Sequence, residues 1–130
     1  MAGFSDYLED KVLKHVFAGS AYTAPSTLYV ALYTVAPTDT GGGTEVSGGA
    51  YARQTAAFSV SGTDPTTASN SAAIEYPTAT ANYGTVVAVG IFDASSSGNL
   101  MAYANLTSSK VVSTGDVFRF NAGDLDIILA

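Results

Sequence analysis

The sequence predicts a mainly β protein, an antiparallel β-sandwich of jelly-roll-like form with one N-terminal α-helix. Near the start, branched and aromatic residues alternate with the period of a strand that has two different faces: Leu28, Tyr29, Val30, Ala31, Leu32 and Tyr33. Short apolar segments separated by Gly, Asp, Ser and Pro turns follow, as is typical of sandwiches. We expect one structural domain, with a helix and connector over residues 1–22 and the sandwich over residues 23–130.

The predicted helix runs from Asp6 to Phe17. Ser5 is a favourable N-cap, and Gly19 is a favourable residue for ending the helix. The apolar residues fall on one stripe at helical spacing: Phe4, Leu8, Val12, Leu13, Val16 and Phe17. We therefore expect the helix to lie against the sheet or against a neighbouring subunit.

The first strand is expected over residues 26–34, followed by a long Gly-rich loop over residues 37–49 that is functional or mobile. Further strands are expected over residues 51–60, 69–76, 85–92, 100–106, 111–112, 117–121 and 125–129. The strand over residues 85–92 is apolar on both faces, which predicts a central position. Gly90 within it indicates a bulge or a close approach, and residues 107–110 are expected to form a turn.

Composition excludes several function classes. Among 130 residues 47% are hydrophobic, but only 12% are charged, which leaves a polar, uncharged surface suited to assembly. The net charge of −6, with five scattered Lys and Arg residues, argues against nucleic acid as a partner. No segment is long enough for membrane insertion, and the N-terminus lacks the features of a signal peptide, so folding in the cytoplasm is expected.

Catalytic, cofactor and metal sites are not predicted. There is no Cys and the single His15 lies in the helix, so a zinc site is not expected. Most carboxylates adjoin Gly, Ser or Pro, where they close turns, and we therefore expect no enzyme. The segment from Asp93 to Asn99 is weakly similar to a calcium loop, but it lacks alternating acidic ligands and reads as a hairpin turn. The Gly41–Gly43 run lacks the Lys and helix of a phosphate-binding loop.

The candidate subunit or partner contacts are Tyr29, Tyr33, Glu45, Tyr51 and Arg53. The three tyrosines are expected on one face, as a binding surface or as a second-layer core. A sharp turn before Tyr51 would present it as an amphipathic anchor and Arg53 as a forked donor. Alternatively, the segment is the plain start of a long hairpin, in which Arg53 satisfies nearby carbonyl groups.

The order of several segments resembles a family of small tail-fibre-like or minor tail proteins of tailed bacteriophages. The most specific segment is Thr-Glu-Val-Ser-Gly-Gly-x-Tyr-Ala-Arg over residues 44–53. The others are residues 8–17, 21–33, 36–39, 76–79, 90–93 and 98–100. The resemblance covers nearly the whole chain and implies a non-enzymatic virion protein without cofactors or catalytic residues.

From this resemblance we expect a tail-associated structural protein that acts in assembly or host adsorption, located in a virion assembled in the host cytoplasm. Its expected partners are other virion proteins, copies of itself (a trimer, by analogy) and a host surface receptor. The first alternative is a decoration or cement protein on the phage head. A remoter alternative is a small carbohydrate-binding or glycan-cleaving module, which would need grouped tyrosines beside a pair of carboxylates.

Overall fold

The computed structural model describes residues 3–129, which form eleven strands and one helix. The elements are β1 (Gly3–Phe4), α1 (Asp6–Phe17), β2 (Leu28–Val35), β3 (Thr44–Glu45), β4 (Gln54–Ala56), β5 (Phe58–Ser61), β6 (Thr66–Asn70), β7 (Ile74–Glu75), β8 (Gly84–Phe92), β9 (Leu100–Val112), β10 (Arg119–Phe120) and β11 (Asp126–Leu129). Met1, Ala2 and Ala130 belong to the predicted ranges but lie outside the described residues. The division of the chain at residue 22 stays a prediction.

The main sheet has the order β1-β9-β8-β2-β3, with β4 also pairing with β2, and all its pairs are antiparallel. The most apolar strand, β8, lies in its middle, as its two apolar faces predicted. Side chains of the neighbouring strands and of β8 itself approach Gly90 of β8 closely. A Cβ at this position would come within 2.9 Å of both Leu100 Cδ1 and Tyr33 Cε1. The predicted close approach is therefore confirmed.

A second layer consists of a sheet of order β11-β6-β5 and the two-stranded ribbon of β7 and β10. Buried side chains of both layers form the larger core cluster, including Val30, Leu32, Val86, Val89 and Ile91 from the main sheet and Ile74, Tyr76, Phe118, Phe120 and Leu125 from the other layer. The opposite face of the main sheet carries a smaller buried cluster: Ala31, Tyr33, Ala88, Phe92 and Leu100. The predicted fold, a β-sandwich with one N-terminal helix, is confirmed.

The helix α1 begins and ends at the predicted residues. Ser5 is buried; its Oγ accepts a hydrogen bond from the Leu8 N–H, while its own N–H donates to the Met101 carbonyl oxygen of β9 at 2.8 Å. These contacts fix the start of α1 to the sheet. No residue of α1 is itself buried. The C-terminal half of its apolar stripe stays open, with Leu13, Val16 and Phe17 exposed to 58%, 60% and 81%.

Some predicted strand boundaries are wrong. Residues 107–110 do not form a turn, because β9 continues through them. Its register shifts there: Asn105 lies opposite Ala88 and Lys110 opposite Val86, so four residues face the single Val87. Pairing to Lys110 and beyond satisfies the backbone groups at the start of β8, and this tertiary gain outweighs the local turn composition. The predicted strands over residues 51–60 and 69–76 are each divided into two shorter strands.

Candidate functional site

Arg53 is the centre of a largely buried polar cluster. Its Nε and Nη2 donate to the two carboxylate oxygens of Glu45 at 2.9 and 2.8 Å. Its Nη1 donates to the carbonyl oxygens of Ala94 and Ser97 at 3.0 and 2.8 Å. Its Cζ lies 3.8 Å from the centroid of the Phe92 ring, and the side chain is only 8% exposed. The guanidinium therefore ties β3 to the hairpin loop between β8 and β9.

Tyr51 extends this cluster into the sandwich core. Its hydroxyl donates to Glu45 at 2.7 Å and accepts from the Leu32 N–H at 3.0 Å. Its ring stacks on that of Tyr76, with the centroids 6.1 Å apart. We refer to Glu45, Tyr51 and Arg53 together as the Arg53 cluster.

The prediction that Tyr51 shares a face with Tyr29 and Tyr33 is wrong. Tyr33 belongs to the small cluster on the outer face of the main sheet, where it stacks on Phe92, and Tyr29 lies on the same face of β2. Tyr51 instead follows a turn in which Gly48, Gly49 and Ala50 all have positive φ. That turn brings the Tyr51 ring onto the core face. The alternation of side chains along a strand therefore could not predict which face Tyr51 occupies. As partner contacts, the five candidate residues stay a prediction.

Electrostatics fix the protonation states in the Arg53 cluster. Burial acts to raise the pKa of the Glu45 carboxyl, but hydrogen bonds from Arg53 and Tyr51 outweigh it and hold the pKa below its usual value. Burial and the charge of Glu45 raise the pKa of Tyr33 to about 12. Burial and the Glu45 hydrogen bond also raise the pKa of Tyr51. The cluster is therefore a fixed ion pair beside neutral phenols, which suits positioning rather than proton transfer at neutral pH.

A cleft of about 590 Å³ opens on the outer face of the main sheet, and we call it the α1 cleft. The start of α1, the loop around residues 39–42 and the end of the β8–β9 hairpin loop surround it. Its floor is apolar, with Tyr33, Phe92 and Leu100, and Tyr7 forms part of a wall. Its polar lining includes Asp6, Asp39, Thr40 and Asn99. The cleft therefore places two carboxylates beside tyrosine rings.

Hydrogen bonds around the cleft join the segments that surround it. The Asp6 N–H donates to the Asp39 carbonyl oxygen at 3.0 Å, and the Tyr103 hydroxyl donates to the Asp39 carboxylate. Asn99 donates its backbone N–H and its side-chain amide to the Asp93 carboxylate, at 2.7 and 2.9 Å. Burial acts to raise the pKa of Asp93, but these hydrogen bonds from Asn99 outweigh it and lower the pKa.

One protein-family model, described as podophage GP4 fiber I protein gp80, matches residues 3–128. The chain belongs to this phage fibre family. The match confirms the resemblance to tail-fibre-like proteins that the sequence indicated. No curated protein matches the chain. Within residues 3–129, no helix has the length and apolar character needed to cross a membrane.

The other residues considered above for catalysis or metal binding have roles in the fold. His15 Nδ1 accepts the Tyr22 N–H at 3.0 Å and so holds the connector after α1. The segment from Asp93 to Asn99 joins β8 to β9, as the predicted hairpin loop. Over residues 3–129, no group of three or more His, Asp or Glu side chains is placed to hold a metal ion.

The sequence did not allow the α1 cleft to be predicted, nor the contacts of Arg53 with the β8–β9 loop. Asp6 begins the predicted helix and Asp39 lies in the predicted loop, and no sequence signal joins them. Arg53 reaches carbonyl groups 41 and 44 residues along the chain, which only tertiary folding brings near. The 44–53 segment was the best available signal, because it contains all three side chains of the Arg53 cluster.

Proposed function

We propose that the protein is a non-enzymatic structural component of a phage tail fibre and that it works by assembling with copies of itself and with other virion proteins. The family match supports the fibre role. The observation that carries the assembly role is the open part of the apolar stripe on α1, formed by Leu13, Val16 and Phe17. We call these three residues the α1 stripe.

The α1 stripe has the features of a protein contact. Its residues are at positions i, i+3 and i+4 of one helix, so their side chains lie together on one face. All three are more than half exposed in a chain of which 12% of residues are charged. Exposed apolar groups of this kind typically mark association sites. The start of the helix is fixed to β9 through Ser5, so the stripe is presented in a defined direction.

The occupant that we propose for the α1 stripe is the same stripe of another copy. A stripe at i, i+3 and i+4 has the width of a helix–helix seam, so a second α1 helix supplies a matching surface. Three side chains bury far less than the roughly 800 Å² per partner of a stable interface, so the stripe forms one part of a larger contact between copies. In a symmetric trimer each stripe contacts two others, which shields it from both sides.

The polar clusters support a non-enzymatic role. Arg53 uses Nε, Nη1 and Nη2 within the fold, and Glu45 accepts from both Arg53 and Tyr51. The cluster therefore serves to hold loops together. A stiff sandwich with tied loops suits a part that transmits force between neighbours in a particle.

Cryo-electron microscopy of an intact phage that encodes this chain tests the proposal. Density for the sandwich on the tail, with the α1 stripe covered by a neighbouring copy, is the expected result. A regular array over the head would instead support the decoration-protein alternative. Absence of the chain from purified particles would contradict any virion role.

A further inference from the structure

We propose that copies of this chain exchange their N-terminal arms, so that the arm of each copy docks on strand β9 of the next copy. The N-terminal arm is residues 3–17, which comprise β1, Ser5 and α1. The single chain gives the docking contacts, and in the assembly the same contacts form between chains. The proposal rests on the self-assembly proposed above and names a second contact that joins the copies.

The arm is attached to the sheet by a short set of specific contacts at its start. β1 pairs with residues 102–103 of β9 at the edge of the main sheet. Ser5 is 1% exposed, and its N–H and hydroxyl donate to the carbonyl oxygens of Met101 and Leu100. Because these partners are backbone groups of β9, a neighbouring copy offers the arm the same docking site.

The rest of the arm makes few contacts with its own chain. No residue of α1 is buried, and every residue from Leu13 to Phe17 is exposed. A helix of twelve residues is only marginally stable by itself in water and depends on packing of its apolar face. Its own chain does not cover the second half of that face, so the packing has to come from another chain.

The segment after α1 leaves the arm able to dock elsewhere. We call residues 18–27 the linker; it joins α1 to β2, and only two of its ten residues are partly buried. Within residues 3–129, the hydrogen bonds that its backbone donates run to Lys14 and His15 of α1. Its hydrogen bond to the sheet is a weak one, from the Tyr22 hydroxyl to Met101 Sδ at 3.9 Å. The linker therefore moves with the arm, and few contacts with the sheet are lost.

The linker is long enough for the exchange. Ten extended residues span up to about 33 Å, whereas two helices in contact lie about 8–10 Å apart. When the α1 stripes of two copies touch, an arm that takes its neighbour's position shifts by about a third of the length that the linker can span. In a ring of three copies each arm passes to the next copy, so every docking site is filled.

Exchange also accounts for how a narrow stripe can maintain a lasting assembly. The arm contacts are the same within one chain and between chains, so their exchange costs little, and the contact between α1 stripes favours the assembled form. The copies cannot separate until each arm leaves β9. The lifetime of the assembly therefore depends on the contacts of β1 and Ser5 as well as on the stripe.

Disulfide cross-linking of the assembled protein tests the proposal, because the chain contains no cysteine. Gly3 lies opposite Tyr103 in the β1–β9 pair, and residues paired in this way are close enough for a disulfide. After oxidation, Gly3→Cys/Tyr103→Cys should give dimers and trimers of covalently joined chains on a non-reducing gel. A disulfide closed within single chains, or free thiols in this variant, would overturn the proposal.

The matched control is Thr85→Cys/Val111→Cys. These residues lie opposite each other in the β8–β9 pair, and both are exposed. Both strands belong to the sandwich, so this disulfide should close within single chains. Joined chains in the control as well would show that the cross-links arise from collisions, and this would count against the exchange.

The rate at which labelled and unlabelled assemblies mix their subunits gives a second test, followed by native mass spectrometry. Ser5→Ala removes the buried hydroxyl that caps α1, which weakens arm docking and should speed the mixing about tenfold. Ser69→Ala removes a hydroxyl that bonds Asp126 in the second layer and should leave the rate unchanged. A rate that Ser5→Ala does not change would mean that the arms stay on their own chains.

The outcomes separate this proposal from the assembly proposal. If Gly3→Cys/Tyr103→Cys assembles but its disulfide closes within single chains, only the arm exchange is lost. If light scattering gives the mass of one chain for the unaltered protein, the self-assembly proposal is lost and the exchange with it.

Discussion

The Glu45 carboxylate and the Arg53 guanidinium form a two-point ion pair, with Nε–Oε2 and Nη2–Oε1 distances of 2.9 and 2.8 Å. Because the remaining Arg53 nitrogen holds two carbonyl groups of the β8–β9 loop, one side chain positions β3 and that loop together. The planar fork of an arginine is required for this, since a lysine offers a single nitrogen.

Replacing Arg53 with Lys should therefore destabilise the fold. The variant leaves part of the Glu45 carboxylate and at least one loop carbonyl without a donor. We expect a loss of about 2 kcal/mol in the free energy of unfolding, measured by urea denaturation.

The matched control for this substitution is Arg119→Lys. Arg119 pairs with Glu75 at 3.2 Å, but both side chains are about half exposed, at 51% and 58%. The control should change the stability by less than about 0.5 kcal/mol. If the two variants cost the same, the Arg53 cluster does not hold the loops together.

The stability of the protein should fall on acidification, in part through Glu45. Its pKa is lower in the folded chain than its ordinary value of 4.5. Its contribution is therefore complete above that value and is lost as the pH falls through the folded pKa. The variant Glu45→Gln should show a weaker pH dependence in this window, measured by urea denaturation at a series of pH values. Equal slopes for the two proteins would contradict the assignment.

Gly90→Ala should be destabilising because of packing alone. Gly90 is buried and its φ is not positive, so only space limits a side chain there. The new methyl group would lie 2.9 Å from Leu100 and Tyr33 atoms and 3.2 Å from Phe92. We expect a loss of about 1–3 kcal/mol by thermal or urea unfolding. Gly3→Ala is the control, because nothing lies within 4 Å of its added Cβ; a neutral Gly90→Ala would show that the floor of the α1 cleft is loosely packed.

Local signals allowed the helix and the central strand to be predicted. Ser5, the spacing of apolar residues and Gly19 predict both ends of α1 correctly. The two apolar faces of residues 85–92 predict the position of β8 in the middle of the main sheet. Features that depend on tertiary contacts could not be predicted from the sequence. The continuation of β9 past residue 107 depends on pairing with β8, and the meeting of Asp6 with Asp39 depends on how α1 lies on the sheet. The face of Tyr51 could not be predicted, because a turn of positive φ precedes it.

The central claim is that the α1 stripe joins copies of this chain, and the molecular mass in solution tests it most directly. Size-exclusion chromatography with light scattering should give a trimer for the unaltered chain and smaller species for the double variant Val16→Ser/Phe17→Ser. Val60→Ser removes an apolar side chain that is 70% exposed on β5 and should leave the mass unchanged. A mass that is equal for all three proteins would contradict the account.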